Sequence, residues 1–312
     1  MYQNHIISTT ANLRVLFFQL KIEVFNLMSA ETQKVEVKHT VDMFKKYKDL
    51  LLELTRKNVK LKYRNSWLGI FWSFLQPLLN MIVLSIVFGA LLGRKADGVV
   101  CYPVYLFSGR LIYEFFVTST KQSLTAFRRN AAIIKKVYVP KYMYPLSSTL
   151  STFVTFSIST LCYICVWIFF KLTGISGGAD LTVSWKIVLV FLPMLLLLMF
   201  SVGIGLVLSV VNVYFRDIEY IWDVCTKLLM YVVPILYSLK RFEGRKLVWF
   251  IKLNPLYSMI ELFRQCVLYG DSVPAQFLSW KLVLYATGVS IASLVIGIYV
   301  FNKYSDKIVY HL

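Results

Sequence analysis

Four stretches of the chain carry no charged residue: 65–93, 142–170, 187–215 and 282–302. Each exceeds the roughly 20 residues that a helix needs to cross about 30 Å of hydrocarbon. Two further apolar runs are interrupted. Residues 99–120 hold Arg110 and Glu114; residues 221–239 hold Asp223 and Lys227 near their start and Pro234 inside. Hydrocarbon offers no partner to a backbone N–H or C=O, so runs of this kind must satisfy themselves as helices. The pattern predicts an all-α integral membrane protein with six transmembrane helices.

Ahead of the first run, residues 41–64 alternate differently. Phe44, Tyr47, Leu51, Leu54 and Leu61 recur at helical spacing among Lys45, Lys46, Lys48, Arg56, Lys57, Lys60 and Lys62. A basic face beside an apolar stripe predicts an amphipathic helix lying at the membrane boundary. Between the fifth and sixth runs, Asn254-Pro255 precedes Leu256, Met259, Ile260 and Phe263. That combines a helix cap, a proline at the first turn and an apolar stripe, and predicts a short amphipathic helix dipping partway into the bilayer, re-entrant between the fifth and sixth spans. The expected organisation is a cytoplasmic segment 1–64, a transmembrane domain 65–302 and a cytoplasmic tail 303–312.

Composition agrees with lipid as the main solvent. Of 312 residues, 58% are hydrophobic and 16% charged, against about a quarter charged in soluble domains. The net charge of +18 is concentrated between the apolar runs. It therefore suits cytoplasmic anchoring against anionic lipid better than nucleic acid, which is not expected as a partner. Segment 1–64 holds twelve Lys and Arg and the loop 121–141 holds six, so both are expected inside. One segment conflicts: 240–276 would lie outside yet carries Lys240, Arg241, Arg245, Lys246, Lys252 and Arg264. Charge alone would place it inside, with 221–239 a hairpin rather than a span.

Four motifs carry a resemblance. They are Lys62-Tyr63-Arg64-Asn65-Ser66-Trp67-Leu68-Gly69 followed by Trp72, Gln76 and Pro77; the stretch 128–140 ending at Pro140; Asn212-Val213-Tyr214-Phe215-Arg216-Asp217-Ile218; and Asn254-Pro255-Leu256. In this order they resemble ABC type-2 permeases that export polysaccharides, the family of O-antigen, capsule and teichoic acid exporters. The resemblance implies a channel made with a second copy of the chain and two separate ABC ATPase subunits holding ATP and Mg. It also implies a polyprenyl-linked glycan as cargo, a bacterial cytoplasmic (inner) membrane location with both termini inside, and an external 240–276.

The residues themselves say that any motor is another chain, because no Gly-x-x-x-x-Gly-Lys-Ser/Thr phosphate loop occurs. Lys121 to Val137 predicts a short helix stopped by Pro140. There Leu124, Phe127 and Ile134 would plug an apolar cleft on the ATPase, with Arg128 and Arg129 around them. Phe215, Arg216 and Asp217 sit in a short loop on the same expected side, capping helix ends or meeting the ATPase. Lys60, Lys62 and Arg64 fall at headgroup level, suited to lipid phosphate. Arg110 and Glu114, spaced i, i+4, either face the conducting path or staple their span. Ser73, Gln76 and Asn80 form a polar stripe for sugar hydroxyls or a neighbouring helix. Trp67 and Trp72 offer flat rings to sugars or sit in an interfacial belt. Asn254 and Pro255 begin the expected gate helix. His5, His39 and His311 all lie outside the runs and the five cysteines form no ligand set, so neither a bound metal nor an enzyme is expected. An exporter of a drug, peptide or lipid remains the alternative cargo reading.

Overall fold

The structure is a computed structural model that describes residues 47–64, 66–84, 86–87, 101–136, 139–181, 184–239, 247–268, 279–305 and 308. Residues 41–46 of the expected amphipathic helix, the end of the first apolar run, 240–246 and most of the tail lie outside them. The chain divides after Glu53 into two units. In the first, the described residues 47–53 are helical.

The second unit opens with helix α1 (54–62). It continues through α2 (Trp72–Leu84), α3 (Tyr102–Leu124), α4 (Ala126–Ile134) and α5 (Met143–Thr173). Then follow α6 (Phe191–Tyr214), α7 (Ile218–Val232), α8 (Leu247–Lys252), α9 (Pro255–Val267) and α10 (Trp280–Tyr304). No strand occurs among the described residues. Three helical segments are long and apolar enough to cross a membrane: Met143–Thr173, Trp185–Tyr214 and Trp280–Tyr304. Gly69–Val83 is apolar but shorter, because the helical residues described there end before the uncharged run does.

Local chemistry sets the boundaries. Gly174 ends α5 with φ +66°, a left-handed conformation that costs glycine nothing. Asn254 caps α9 through its side chain, which accepts from the Leu256 N–H at 3.0 Å, with Pro255 at the first turn, as the sequence predicted. The α9 stripe is wider than expected: from Leu256 to Val267 every residue except Glu261 is buried. The helix therefore sits inside the fold and not upon it.

The packing frame is α3, α5, α6 and α10. Along α6 and α10 the backbones nearly touch. A Cβ on Gly203 would meet the Ser293 backbone at 2.4 Å, and one on Gly297 would meet the Gly203 carbonyl at 2.5 Å. Small residues allow this approach, and Ser290 and Ser293 donate across it to the Leu196 and Phe200 carbonyls at 3.0 and 3.1 Å.

The break after α7 organises its surroundings. Helix α7 stops at Val232 because Pro234 has no N–H and disfavours helix in the residue before it. At about 1.5 Å per residue its 15 residues are short of the hydrocarbon thickness, so the apolar run 221–239 is not one continuous helix. Beyond the helix end, the carbonyls of Pro234, Leu236 and Tyr237 are met by neighbouring helices. Arg264, on α9 and 0% exposed, donates Nη1 to Pro234 O at 2.9 Å, Nη2 to Tyr105 O at 3.3 Å and Nε to Ser108 Oγ at 3.2 Å. Its guanidinium carbon lies 3.5 Å from the Tyr105 ring centroid. The Tyr105 hydroxyl donates to Tyr237 O at 2.9 Å, and Tyr102 donates to Leu236 O at 3.1 Å. Arg264 is thus a core group, not one of the loop charges that argued for a cytoplasmic 240–276. Positive-inside bias counts loop charges, and this one is spent on carbonyls.

Replacing Arg264 with Lys keeps the charge and loses the three-way fork. Gly109→Ala would set a Cβ 2.6 Å from Arg264 Nη2. Both changes should destabilise detergent-purified protein, each by on the order of 1–3 kcal/mol for a buried polar group left unmet, and so lower its thermal midpoint. Size-exclusion after a heat ramp reads this out, and an unchanged midpoint in both would contradict the assignment.

Candidate functional site

A cleft opens where α2, α3 and α5 meet beside Lys62 and Tyr63. Its wall from α3 presents Arg110, Glu114 and Thr118, its wall from α2 presents Ser73 and Gln76, and α5 supplies Thr152, Thr155 and Ser159. Phe107, Phe115 and Phe156 give it ring surfaces. One helical turn separates Arg110 from Glu114, so both point the same way, and Arg110 Nε lies 3.5 Å from Glu114 Oε2. That length is an ion pair and not a good hydrogen bond. The Arg110 Nε proton is buried without a hydrogen-bond acceptor, and Nη1 reaches only the Met230 sulfur at 3.4 Å. A thioether is a weak acceptor, so the hydrogen-bonding capacity of this cleft-lining guanidinium is only partly used.

The structure unites the two groups that the sequence left separate. Ser73 and Gln76 of the polar stripe join Arg110 and Glu114 in one lining. Ser73 is buried: Tyr63 hydrogen-bonds its hydroxyl, and its carbonyl accepts from Ser159 Oγ at 3.0 Å. Gln76 is exposed to the opening. Asn80, one turn on, is not in the lining, and neither are Trp67 and Trp72. Trp67 is 97% exposed, a position suited to lipid or a partner. Of the three headgroup candidates, Lys62 borders the cleft, while Lys60 and Arg64 are exposed outside it. Asn254 and Pro255 begin α9 and belong to no cleft lining.

The sequence reading missed the α5 contribution. Ser147, Ser148, Ser151, Thr152, Thr155 and Ser159 are buried along one side of that helix. Many bond to carbonyls of the preceding turn, such as Ser148 to Tyr144 at 3.0 Å and Thr152 to Ser148 at 3.0 Å. Back-bonding lets hydroxyls sit at membrane depth. The recurrence of Ser and Thr at three- and four-residue spacing from 147 to 160 was the signal available.

The expected helix 121–137 is two elements. Helix α3 runs on to Leu124, the chain turns at Thr125, and α4 begins at Ala126. Leu124 is 2% and Phe127 1% exposed. Phe127 stacks on Phe301 at 6.1 Å and meets Tyr144 edge-on at 6.5 Å. The Leu124 carbonyl accepts from Asn212 Nδ2 at 2.9 Å. These two residues fill their own core, which corrects the expectation that they plug a partner. Arg128 and Arg129 are exposed and Ile134 is half-buried. Arg128 is engaged: its Nη2 lies 2.9 Å from Glu219 Oε2 of α7. Phe215, Arg216 and Asp217 are exposed, and Asp217 stands at the α7 cap position without a side-chain capping bond.

Residues 49–268 match the family described as ABC-2 type transporter. The chain is 31% identical over 255 residues to an O-antigen export system permease protein RfbA of Klebsiella pneumoniae, covering 82% of this chain and 92% of that protein. It is 27% identical over 231 residues to an RfbA of the same description from Myxococcus xanthus, covering 73% and 83%. It is also 24% identical over 216 residues to the polysialic acid transport protein KpsM of Escherichia coli, covering 69% and 79%. The chain belongs to the ABC-2 type transporter family.

Proposed function

We propose that this chain is the membrane-spanning permease subunit of an ATP-driven exporter that carries polysaccharide across a bacterial cytoplasmic membrane. The observation that carries this reading is the match over 92% of an O-antigen export permease, together with a second match to a polysialic acid transport protein. The cleft chemistry supports it. Hydroxyls, an amide and a partly unsatisfied guanidinium beside three phenylalanine rings offer hydrogen bonds and flat apolar faces to sugar, without a deep enclosing pocket.

The finer reading is that the glycan is lipid-linked. Two copies of the chain form the channel, and two ATPase subunits, which hold the ATP and Mg, dock beneath. Arg129, Lys135 and Lys136 are exposed on and after α4, and Phe215 and Arg216 are exposed before α7; these are the proposed docking surface. Ile134 offers it a half-buried apolar edge. Lys60, Lys62 and Arg64 are proposed to meet lipid phosphate, and Trp67 and Trp72 the interface. Asn254 and Pro255 set the start of the proposed gate helix. Six crossings with both termini inside complete the arrangement, α2 and the α3 and α7 regions being counted with the three long apolar helices.

Deleting the gene should strip the cell surface of its polysaccharide while lipid-linked polymer accumulates inside; unchanged surface polymer contradicts the reading. In the complemented strain, Glu114→Gln leaves Arg110 without its carboxylate. Export should fall by roughly tenfold, the scale of one charge-assisted bond, with membrane level unchanged. The topology has its own test. In a background freed of native cysteines, Lys252→Cys, an exposed position on α8, should react with a membrane-impermeant thiol reagent in intact cells. Labelling only after permeabilisation would contradict an external 240–276.

A further inference from the structure

We propose that Arg128 and Glu219 form a latch that transmits movement of α4 to α7, so that Arg128 is a positioning residue of transport and not a docking residue. The proposal rests on the exporter reading and deepens it.

Helix α7 is weakly embedded. Of its 15 residues only Thr226 is buried, and Ile221, Val224 and Leu228 on its outer side are exposed. Trp222, Leu229 and Met230 pack on the core, and a series of polar rungs to α3 and α4, running antiparallel, completes its attachment. Arg110 Nη1 meets Met230 Sδ at 3.4 Å, and the Tyr113 hydroxyl donates to the Thr226 carbonyl. Trp222 Nε1 donates to Thr120 Oγ1 at 3.1 Å. Lys121 pairs with Asp223, which also holds Lys227 at 2.6 Å. Arg128 pairs with Glu219 at 2.9 Å.

The last rung differs from the others because it crosses the turn at Thr125. Four rungs tie α7 to α3, whereas Arg128 to Glu219 is, among the described residues, the ion pair joining α7 to α4. The side chain next to it, Phe127, fixes the other side of α4 to Tyr144 and Phe301. A shift of α4 imposed from the cytoplasm therefore pulls Glu219. Further along α7, Met230 touches Arg110, which lines the cleft. The path from the cytoplasmic end to the cleft is continuous through named contacts.

Stability does not explain these pairs. The Arg128 and Glu219 side chains are 59% and 39% exposed. Exposed pairs of this kind add little to folding, and less as salt rises. They do fix which way two charged helices face each other, which is what a mechanical link requires. Docking and latching are told apart by charge reversal, because Arg128 engages Glu219 through Nη2 and keeps its other donors.

The test uses the complete exporter, permease with its partner ATPase, in proteoliposomes. The readout is polymer exported per ATP hydrolysed. Arg128→Glu and Glu219→Arg each set like charges against one another. Each should lower the ratio by about fivefold or more, with ATPase co-purification and hydrolysis retained. The swap Arg128→Glu with Glu219→Arg should return the ratio to within about twofold of wild type. Asp223→Asn loosens α7 by another rung without reversing any charge and should also lower the ratio, at unchanged thermal midpoint. Three results overturn the latch: single reversals that leave the ratio intact, a swap that restores nothing, or an Arg128→Glu complex that sheds its ATPase whatever stands at 219. A wild-type complex that exports no glycan fails the exporter reading itself, before any variant is made, and the latch with it.

Discussion

Hydrocarbon supplies no hydrogen-bond partner, and the architecture follows from where this chain breaks that rule and repairs it. Helices meet the demand alone. Pro234 does not, because it ends α7, and the carbonyls of Pro234, Leu236 and Tyr237 have no helical partners. Arg264, Tyr102 and Tyr105 answer those carbonyls from α9 and α3. A guanidinium buried among carbonyl and hydroxyl oxygens is costly in isolation, yet here it closes several open acceptors at once. The same contacts seat α9 against α3, so the repair of one break positions two other elements.

From that anchor, the fold separates a rigid part from a loosely held one. Helices α6 and α10 approach through Gly203 and Gly297 as closely as backbones allow. Phe127 of α4 packs on Tyr144 of α5 and Phe301 of α10. Helix α7 is more loosely set, joined to this frame by Trp222, Leu229 and Met230 and by polar rungs. The cleft lies between the two regimes: its floor is the Ser/Thr side of α5, and its charged edge is the Arg110–Glu114 pair that α7 touches through Met230. Such a layout allows a displacement of α4 to reach the cleft edge through α7.

Much of this was legible in the sequence because lipid simplifies it. Uncharged runs gave α5, α6 and α10 directly, and Asn254-Pro255 marked the start of α9 to the residue. The pair Arg110–Glu114 followed from i, i+4 spacing. What was not legible depended on partners far apart in the chain. Arg264 reads as one loop charge among six until Pro234 and Tyr105 are brought beside it. Leu124 and Phe127 look like an exposed apolar edge on a short helix; only packing against Phe301, more than 170 residues away, turns them inward. Arg128 looks like a free basic residue because Glu219 lies 91 positions on. Charge patterns show which residues are polar, but not which of them are already engaged.

The central claim is that this chain is the permease of a polysaccharide exporter powered by a separate ATPase. Purification of the chain from its native membrane in mild detergent, with mass spectrometry of the protein and lipid that remain bound, tests it most directly. The account predicts a stoichiometric ABC ATPase together with a polyprenyl-linked glycan. A complex that carries the ATPase and a drug, peptide or simple lipid in place of glycan would contradict the cargo, and a chain that retains no ATPase would contradict the account as a whole.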